Sequence, residues 1–147
     1  MNIYIGADHR GFKLKEKLGG LLKKRGYTVT DVGTYTEDIP CDYPDLSYKV
    51  ARKVAAVKDA RGILICMTGI GHTIAANKVR GAYAALCYSR AGAVLSREHN
   101  NSNILVLGSK FVSPAKMPAI IDAWLKAKFA GGRHLRRVNQ IKRIEKD

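Results

Sequence analysis

Short apolar runs alternate with longer segments of helical periodicity along most of the chain. Five apolar runs predict buried β-strands over residues 3–6, 28–32, 62–66, 83–87 and 104–107. Hydrophobic residues at helical spacing predict four intervening helices, over residues 14–22, 46–57, 70–78 and 91–97. This alternation is typical of a parallel sheet covered by helices on both faces. We therefore predict an α/β, Rossmann-like three-layer sandwich that forms a single domain over residues 1–147.

The last predicted strand is followed by a fifth helix and a basic tail. Apolar residues between Met117 and Leu125 mark the helix, with Pro114 near its start and two glycines, residues 131–132, after its end. The tail, residues 133–147, contains six lysines or arginines. Its apolar residues recur at every third position; they are Leu135, Val138, Ile141 and Ile144. We predict a basic C-terminal helical tail whose apolar stripe packs on its own domain or on a partner chain.

The composition adds a strong positive charge to this picture. The 147 residues include 26 Lys and Arg against 12 Asp and Glu, a net charge of +14. Nucleic acid, a membrane surface or a phosphorylated metabolite could each be the anionic partner. Aromatic residues make up only 7% of the chain, and no nucleic-acid-binding motif is recognisable, so we expect no specific nucleic acid.

Three further sequence features bear on location and metal content. No apolar run approaches the roughly 18 residues of a membrane helix, and the N-terminus does not resemble a secretory signal. We therefore expect a cytoplasmic protein with no membrane partner. The cysteines, Cys41, Cys66 and Cys87, form no CxxC pair and no metal-ligand spacing, so reduced thiols and no metal are expected.

Polar residues collect near the ends of the predicted strands. Asp8 and His9 follow the first strand, the segment 66–73 follows the third, and the segment 97–100 precedes the fifth. Ligands of open parallel sheets bind outside the carboxyl ends of the strands. We therefore place the candidate site there, and three of the four histidines lie in these segments.

The loop over residues 68–73 leads from a buried strand into a helix. Its N–H groups and the helix dipole could bind an anion or a developing oxyanion, although a tight turn without a ligand remains the alternative. Ile74 stands where a dinucleotide fingerprint requires its third glycine, and no Walker A loop is present. We therefore expect no nucleotide cofactor.

Cys66 precedes this loop and His72 lies within it, and each has two interpretations. Cys66 is either a buried thiol that acts as a small hydrophobe, or a thiol with a lowered pKa that acts as base or nucleophile. His72 is either an exposed helix residue or a side chain that faces the pocket. Cys41 and Cys87 have no such loop and are interpreted as structural.

Two arginines of the tail form a further candidate site. Arg133 and Arg137 are four residues apart, so a helix would place both guanidinium groups on one face, where they can bind the same phosphate. A solvated basic face is the alternative.

Taken together, these segments resemble the type B ribose-5-phosphate isomerase family. The resemblance covers almost the whole chain in the same order, and extends to a wider group that includes galactose-6-phosphate isomerase subunits. The matching segments are GADHRG (6–11), DYPD (42–45), GILIC (62–66), TGIG (68–71), IAANK (74–78), SREHN (96–100) and GRH (132–134).

The resemblance implies an isomerase that interconverts ribose 5-phosphate and ribulose 5-phosphate through a cis-enediolate, without metal or cofactor. His99 would help to open the furanose ring, and Cys66 would move the proton between carbons 2 and 1. The Thr68 hydroxyl and the N–H groups around Gly69 and Gly71 would stabilise the negative oxygen.

The resemblance also implies the groups that bind the substrate and the state of assembly. Sugar hydroxyls would contact Asp8, Tyr43 and Asn100, and the phosphate would contact His9, Arg133 and Arg137. A homodimer would complete the pocket, with His99 and Asn100 from one chain and the Cys66 loop from the other. Such dimers could pair into tetramers.

The chain departs from the family at three positions near the expected site. Met67 stands where the family usually has glycine, and Lys110 where it often has arginine, a different kind of phosphate ligand. His72 stands where a second branch of the family, which lacks the cysteine, carries a catalytic glutamate. Our hypothesis is that Cys66 remains the base and that His72 tunes it or contacts the sugar; His72 and Lys110 are included among the substrate-binding residues.

Two other functions remain open from the sequence. One is an isomerase of a hexose 6-phosphate such as allose 6-phosphate, because the sequence does not define the length of the pocket. The other is a nucleic-acid-binding protein on an inactive isomerase scaffold, which the charge of +14 and the departure at Met67 suggest.

Overall fold

The computed structural model describes all residues, Met1–Asp147, and contains the five predicted strands in one parallel sheet. The strand order is β2-β1-β3-β5-β4. Their bounds are β1 (Asn2–Ala7), β2 (Thr28–Asp31), β3 (Arg61–Cys66), β4 (Ala84–Leu86) and β5 (Ile104–Gly108). The central strands β3 and β5 are almost completely buried, whereas the edge strands β2 and β4 are partly exposed because each has only one neighbour.

Six α-helices follow the predicted alternation, with small differences at their ends. Their bounds are α1 (Phe12–Lys24), α2 (Tyr43–Ala56), α3 (Ile70–Ala76), α4 (Arg90–Asn100), α5 (Met117–Lys126) and α6 (Arg133–Ile144). Helix α3 ends earlier than predicted, since the Asn77 amide exchanges two hydrogen bonds with the backbone of Ala84 and turns the chain into β4. The predicted fifth helix begins with a 3₁₀ turn at Pro114–Lys116.

The helices form two layers, one on each face of the sheet. On one face, α1 and α5 contribute Leu18, Leu22 and Trp124 to a cluster of 17 buried residues. On the other face, Val50 and Val54 of α2 belong to a second cluster of 10 residues. The predicted Rossmann-like three-layer sandwich is therefore confirmed.

The C-terminal tail forms helix α6, as predicted. Glu145 attaches its end to the domain by accepting hydrogen bonds from the Tyr83 hydroxyl and, through its backbone carbonyl, from Arg80. Within the chain, only Val138 of the apolar stripe is buried, while the other three residues of the stripe are exposed. No helix of the chain has the length and hydrophobicity needed to cross a membrane.

Candidate active site

The turn after β1 positions Asp8 and His9 at the carboxyl edge of the sheet. A Cβ on Gly11 would lie 2.5 Å from the Ile65 carbonyl oxygen, so only glycine allows this turn to pack directly against β3. Asp8 Oδ1 accepts a hydrogen bond from the Gly11 N–H at 3.0 Å. His9 Nδ1 accepts one from the Cys41 N–H at 3.3 Å, which leaves its Nε2–H as a donor for an anion.

Cys66 ends β3 and is only 7% exposed. Its Sγ accepts a hydrogen bond from the Gly69 N–H at 2.9 Å. Burial raises the pKa of the thiol, Asp8 raises it further, and hydrogen bonds from Gly69 and Thr68 offset only part of the increase. Of the two interpretations of Cys66, the structure supports the buried thiol and not the lowered pKa, because burial of the sulfur outweighs its hydrogen bonds.

His72 faces the site and is fully buried. Its Nδ1 lies 2.6 Å from Ser47 Oγ. The Ser47 hydroxyl donates to the Tyr43 carbonyl at 2.9 Å, so its oxygen is an acceptor and His72 Nδ1 carries the proton. Burial lowers the pKa of His72 to about 4, although Asp8 opposes the shift. His72 is therefore neutral, and its buried Nε2 lone pair has no partner.

Three side chains from separate segments meet at this point. One potential ligand atom from each of Asp8, Cys66 and His72 lies within 4.8 Å of the other two. The sequence predicted no metal-ligand set because these residues are far apart along the chain. The structure brings them together at the ends of β1 and β3 and the start of α3.

The loop between β3 and α3 leaves backbone donors at the same place. The Gly69 N–H is bonded to Cys66 Sγ and the Ile70 N–H to Thr68 Oγ1. No hydrogen bond within the chain engages the N–H groups of Gly71 and His72, so these two can stabilise an oxyanion. Gly69 itself has φ +82°, a left-handed conformation that favours glycine.

Tyr43 packs closely over this loop. A Cβ on Gly71 would lie 2.4 Å from the Tyr43 ring, so the ring can take this position only because residue 71 is glycine. The ring also makes an edge contact with His72 at a centroid distance of 5.7 Å. Tyr43 therefore borders the group of Asp8, Cys66 and His72.

The two departures at Met67 and Lys110 lie beside the loop. Met67 is exposed, and its sulfur accepts a hydrogen bond from Arg10 at 3.4 Å. Its backbone carbonyl accepts one from the Lys110 N–H at 2.8 Å. The Met67 side chain is therefore in contact with Arg10 and partly exposed.

The remaining expected site residues form a second cluster. The rings of His99 and His134 stack at 4.2 Å. Desolvation and the neighbouring His99, Arg133 and Arg137 lower the pKa of His134, although Glu98 opposes the shift. Asn100 is the last residue of α4, next to His99. The second cluster thus combines His99 and Asn100 with the basic start of α6.

This second cluster lies near the amino ends of the strands, whereas Cys66 lies at their carboxyl ends. Asn103, just after α4, accepts a hydrogen bond from the Gly62 N–H at the start of β3, whereas Cys66 is at the end of that strand. The four residue steps from Gly62 to Cys66 along β3 span about 13 Å. The prediction that residues 97–100 lie with the other polar segments at the carboxyl ends of the strands was therefore wrong. Helix α4 runs back along the sheet and ends near the amino ends of the strands.

Sequence reasoning missed two residues of these clusters as site residues. Ser47 fixes the tautomer of His72. In the sequence it could have been recognised as a single polar residue on the apolar face of α2, beside Leu46 and Val50. His134 stacks on His99. In the sequence it could have been recognised as a histidine that lies between basic residues of the tail.

A parallel sheet with a thiol, a carboxylate and free loop N–H groups at its carboxyl edge is typical of α/β enzymes with small polar substrates. The chain belongs to the ribose/galactose isomerase family, whose model matches residues 3–141. Ribose-5-phosphate isomerase B of Escherichia coli is 45% identical over 97% of this chain and 95% of that protein.

Solved structures agree with this assignment. The ribose-5-phosphate isomerase B of Clostridium thermocellum is 51% identical and superposes with a TM-score of 0.95, over 99% of this chain and 98% of that one. The enzyme of Mycoplasma genitalium, solved with bound ribulose 5-phosphate, is 46% identical with a TM-score of 0.95, over 99% and 97% of the two chains.

Proposed function

We propose that this protein interconverts D-ribose 5-phosphate and D-ribulose 5-phosphate. The observation that carries the proposal is the buried Cys66 thiol beside Asp8, with the free Gly71 N–H at the same loop. The similarity to an isomerase solved with bound ribulose 5-phosphate supports the choice of substrate. The enzyme class, an aldose–ketose isomerase, follows from the family to which the chain belongs.

The proposed chemistry moves one proton between neighbouring carbons. Cys66 acts through its thiolate form, although burial raises the pKa of the thiol. The thiolate takes the proton from carbon 2, and the electron pair left behind forms the enediolate. The N–H groups of Gly71 and His72 and the Thr68 hydroxyl stabilise the negative oxygen. Cys66 then returns the proton to carbon 1 while the hydroxyl proton on oxygen 2 passes to oxygen 1, so that carbon 2 becomes the carbonyl of the ketose. Because His72 is neutral, it acts as a hydrogen-bond acceptor and not as a cation.

Asp8 and Tyr43 would bind the sugar hydroxyls on the same side as Cys66. The Asp8 carboxylate keeps Oδ2 free, because its hydrogen bond with the Gly11 N–H uses Oδ1. The Nε2–H of His9 is a donor suited to the substrate phosphate. Lys110, next to the loop, adds a positive charge on the same edge.

We further propose that the active unit is at least a dimer. Ring opening by His99, and phosphate binding by Arg133 and Arg137, require groups that lie about 13 Å or more from the thiol of the same chain, on the strand spacing given above. In a dimer, the second cluster of one copy can lie against the Cys66 loop of the other copy. The exposed apolar stripe of α6 supports such an interface.

Complementation tests the shared site. Cys66→Ala and His99→Ala are prepared as separate inactive proteins, then mixed in equal amounts and allowed to exchange subunits. Half of the resulting dimers are mixed, and each mixed dimer contains one intact site, so activity should return to about one quarter of the wild-type value. Subunit exchange without any return of activity would contradict the shared site.

A ketose assay tests the substrate. Chelator-treated protein is incubated with ribose 5-phosphate and, separately, with allose 6-phosphate. The proposal predicts ketose from ribose 5-phosphate with the higher kcat/KM. Turnover of allose 6-phosphate alone would move the function to a hexose phosphate. No turnover of either sugar, with salt-sensitive binding of nucleic acid, would replace it with the nucleic-acid-binding alternative.

A further inference from the structure

We propose that Asp8, Cys66 and His72 form a binding site for Zn²⁺, and that bound Zn²⁺ reversibly blocks the isomerase. The second half of this inference rests on the proposed function, whereas the binding itself does not. The sequence indicated no metal site, and no other group of three such side chains occurs in the structure.

The geometry of the three side chains fits a small tetrahedral ion. Their potential ligand atoms lie within 4.8 Å of one another. Zinc bonds of about 2.0–2.3 Å at tetrahedral angles separate ligand atoms by about 3.3–3.8 Å. Side-chain movements of about 1 Å therefore close the site around the ion without displacing β1, β3 or α3.

The ligand set selects for zinc. A thiolate, an imidazole and a carboxylate suit Zn²⁺ and its analogue Co²⁺. Magnesium and calcium require mostly oxygen ligands, in octahedral or larger shells, and Asp8 is the one carboxylate of the three. We therefore expect millimolar-range Mg²⁺ not to compete.

The buried imidazole gives an independent indication of a ligand. His72 Nε2 is inaccessible and has no hydrogen-bond partner, and an unsatisfied buried polar atom costs about 1–3 kcal/mol. Nδ1 is already held by Ser47, which in turn donates to the Tyr43 carbonyl. Metal-binding histidines show this arrangement: one nitrogen is fixed by an outer partner and the other is left free for the ion.

Binding consists of an exchange of a proton for a metal ion. Zn²⁺ replaces the hydrogen of the Cys66 thiol, the S–H bond breaks, an S–Zn bond forms and the proton leaves to solvent. No electron is transferred. The Gly69 N–H already donates to this sulfur, which suits a thiolate ligand. A water molecule can take the fourth position, because the protein supplies three ligands.

Inhibition follows from the identity of the ligands. A zinc-bound Cys66 cannot accept or return a substrate proton, and a zinc-bound Asp8 is not free for a sugar hydroxyl. Removing the ion with a chelator restores both groups. The isomerase is therefore expected to lose activity when it binds Zn²⁺ and to regain it with EDTA.

The test measures binding by a signal that does not depend on activity. The metal-free protein is titrated with Co²⁺, and the thiolate-to-cobalt charge-transfer band and the tetrahedral d–d bands are recorded. One Co²⁺ per chain with both signals is expected, and Zn²⁺ should displace it. Absence of the charge-transfer band would overturn the proposal.

Variants assign the ligands. Cys66→Ser should remove the charge-transfer band, whereas Cys87→Ser, which changes another buried cysteine, should leave it unchanged. His72→Leu removes a ligand and should weaken binding more than Ser47→Ala, for which loss of an outer partner predicts a 10–100-fold effect. A thermal melt of each variant confirms that it is folded.

Two results would contradict the assignment. Equal Co²⁺ affinity of wild-type protein and His72→Leu would exclude the imidazole as a ligand, and a charge-transfer band retained in Cys66→Ser would exclude this thiol. Activity is measured last: loss with Zn²⁺ and recovery with EDTA are expected, and full activity of the zinc-loaded protein would overturn the inhibitory role. If no sugar phosphate is turned over, the proposed function fails while the binding result stands.

Discussion

Burying His72 in its neutral form makes the stability of the fold depend on pH. The imidazole is fully buried, and burial lowers its pKa from 6.5 to about 4. In the unfolded chain the group takes up a proton as the pH falls below 6.5, but in the folded chain it does so only near 4. Its contribution is therefore present above pH 6.5 and is lost as the pH falls towards 4.

The shift sets the size of the effect. A change of one pKa unit corresponds to 1.36 kcal/mol, so a shift from 6.5 to about 4 predicts that about 3 kcal/mol of unfolding free energy is lost between neutral pH and pH 4. His72→Leu has no titrating group at this position. Its free energy of unfolding should therefore fall by about 3 kcal/mol less than that of the wild type over the same range.

Urea unfolding of the metal-free protein, in a chelating buffer at several values of pH, measures this difference. The wild type and the variant share every carboxylate, so the contributions of all carboxylates except Asp8, the one in contact with His72, cancel in the comparison. Stability curves that fall in parallel from neutral pH to pH 4 would refute the reasoning. They would mean that His72 takes up its proton in the folded state as readily as in the unfolded chain.

Two further substitutions test the packing of the site and the core. Gly71→Ala places a methyl group 2.4 Å from the Tyr43 ring, and overpacking of about 1–3 kcal/mol should lower kcat/KM by about tenfold. In a Tyr43→Ala background the same change should leave kcat/KM almost unchanged. An equal loss of kcat/KM in both backgrounds would exclude this contact as the cause. The ammonium group of Lys15 is fully buried and paired with Asp31 and with Glu16. Because Glu16 still pairs with Lys15 in Asp31→Asn, this variant should destabilise the fold by less than about 3–5 kcal/mol, the cost of a buried charge left without any partner. Lys15→Met should destabilise it by less still, and the reverse order in urea unfolding would contradict the pairing.

The fold could be predicted from the sequence because its signals are local. Each buried strand is a short apolar run, and each helix carries an apolar stripe, so alternation alone defined the layers. The end of α3 could not be predicted, because the Asn77 side chain ends it by bonding the backbone of Ala84. Such a contact has no periodic signal.

The chemistry of the site was less accessible from the sequence. Cys66 and the loop after it were identified from their position at a strand end, but the direction of the Cys66 pKa shift depends on burial, which spacing does not reveal. The interpretation of His72 stayed open for the same reason, and its tautomer depends on Ser47. The position of His99 near the amino ends of the strands depends on the direction of α4, which the sequence does not give.

The central claim is that Cys66 moves the substrate proton. We would incubate ribose 5-phosphate with the chelator-treated protein in deuterated water and follow the proton at carbon 2 by NMR. The wild type should form ribulose 5-phosphate and exchange this proton for deuterium, and Cys66→Ala should be slower in both by about 10²–10⁴-fold, the usual contribution of a general acid–base group. Exchange and ketose formation at wild-type rates in Cys66→Ala would contradict the claim.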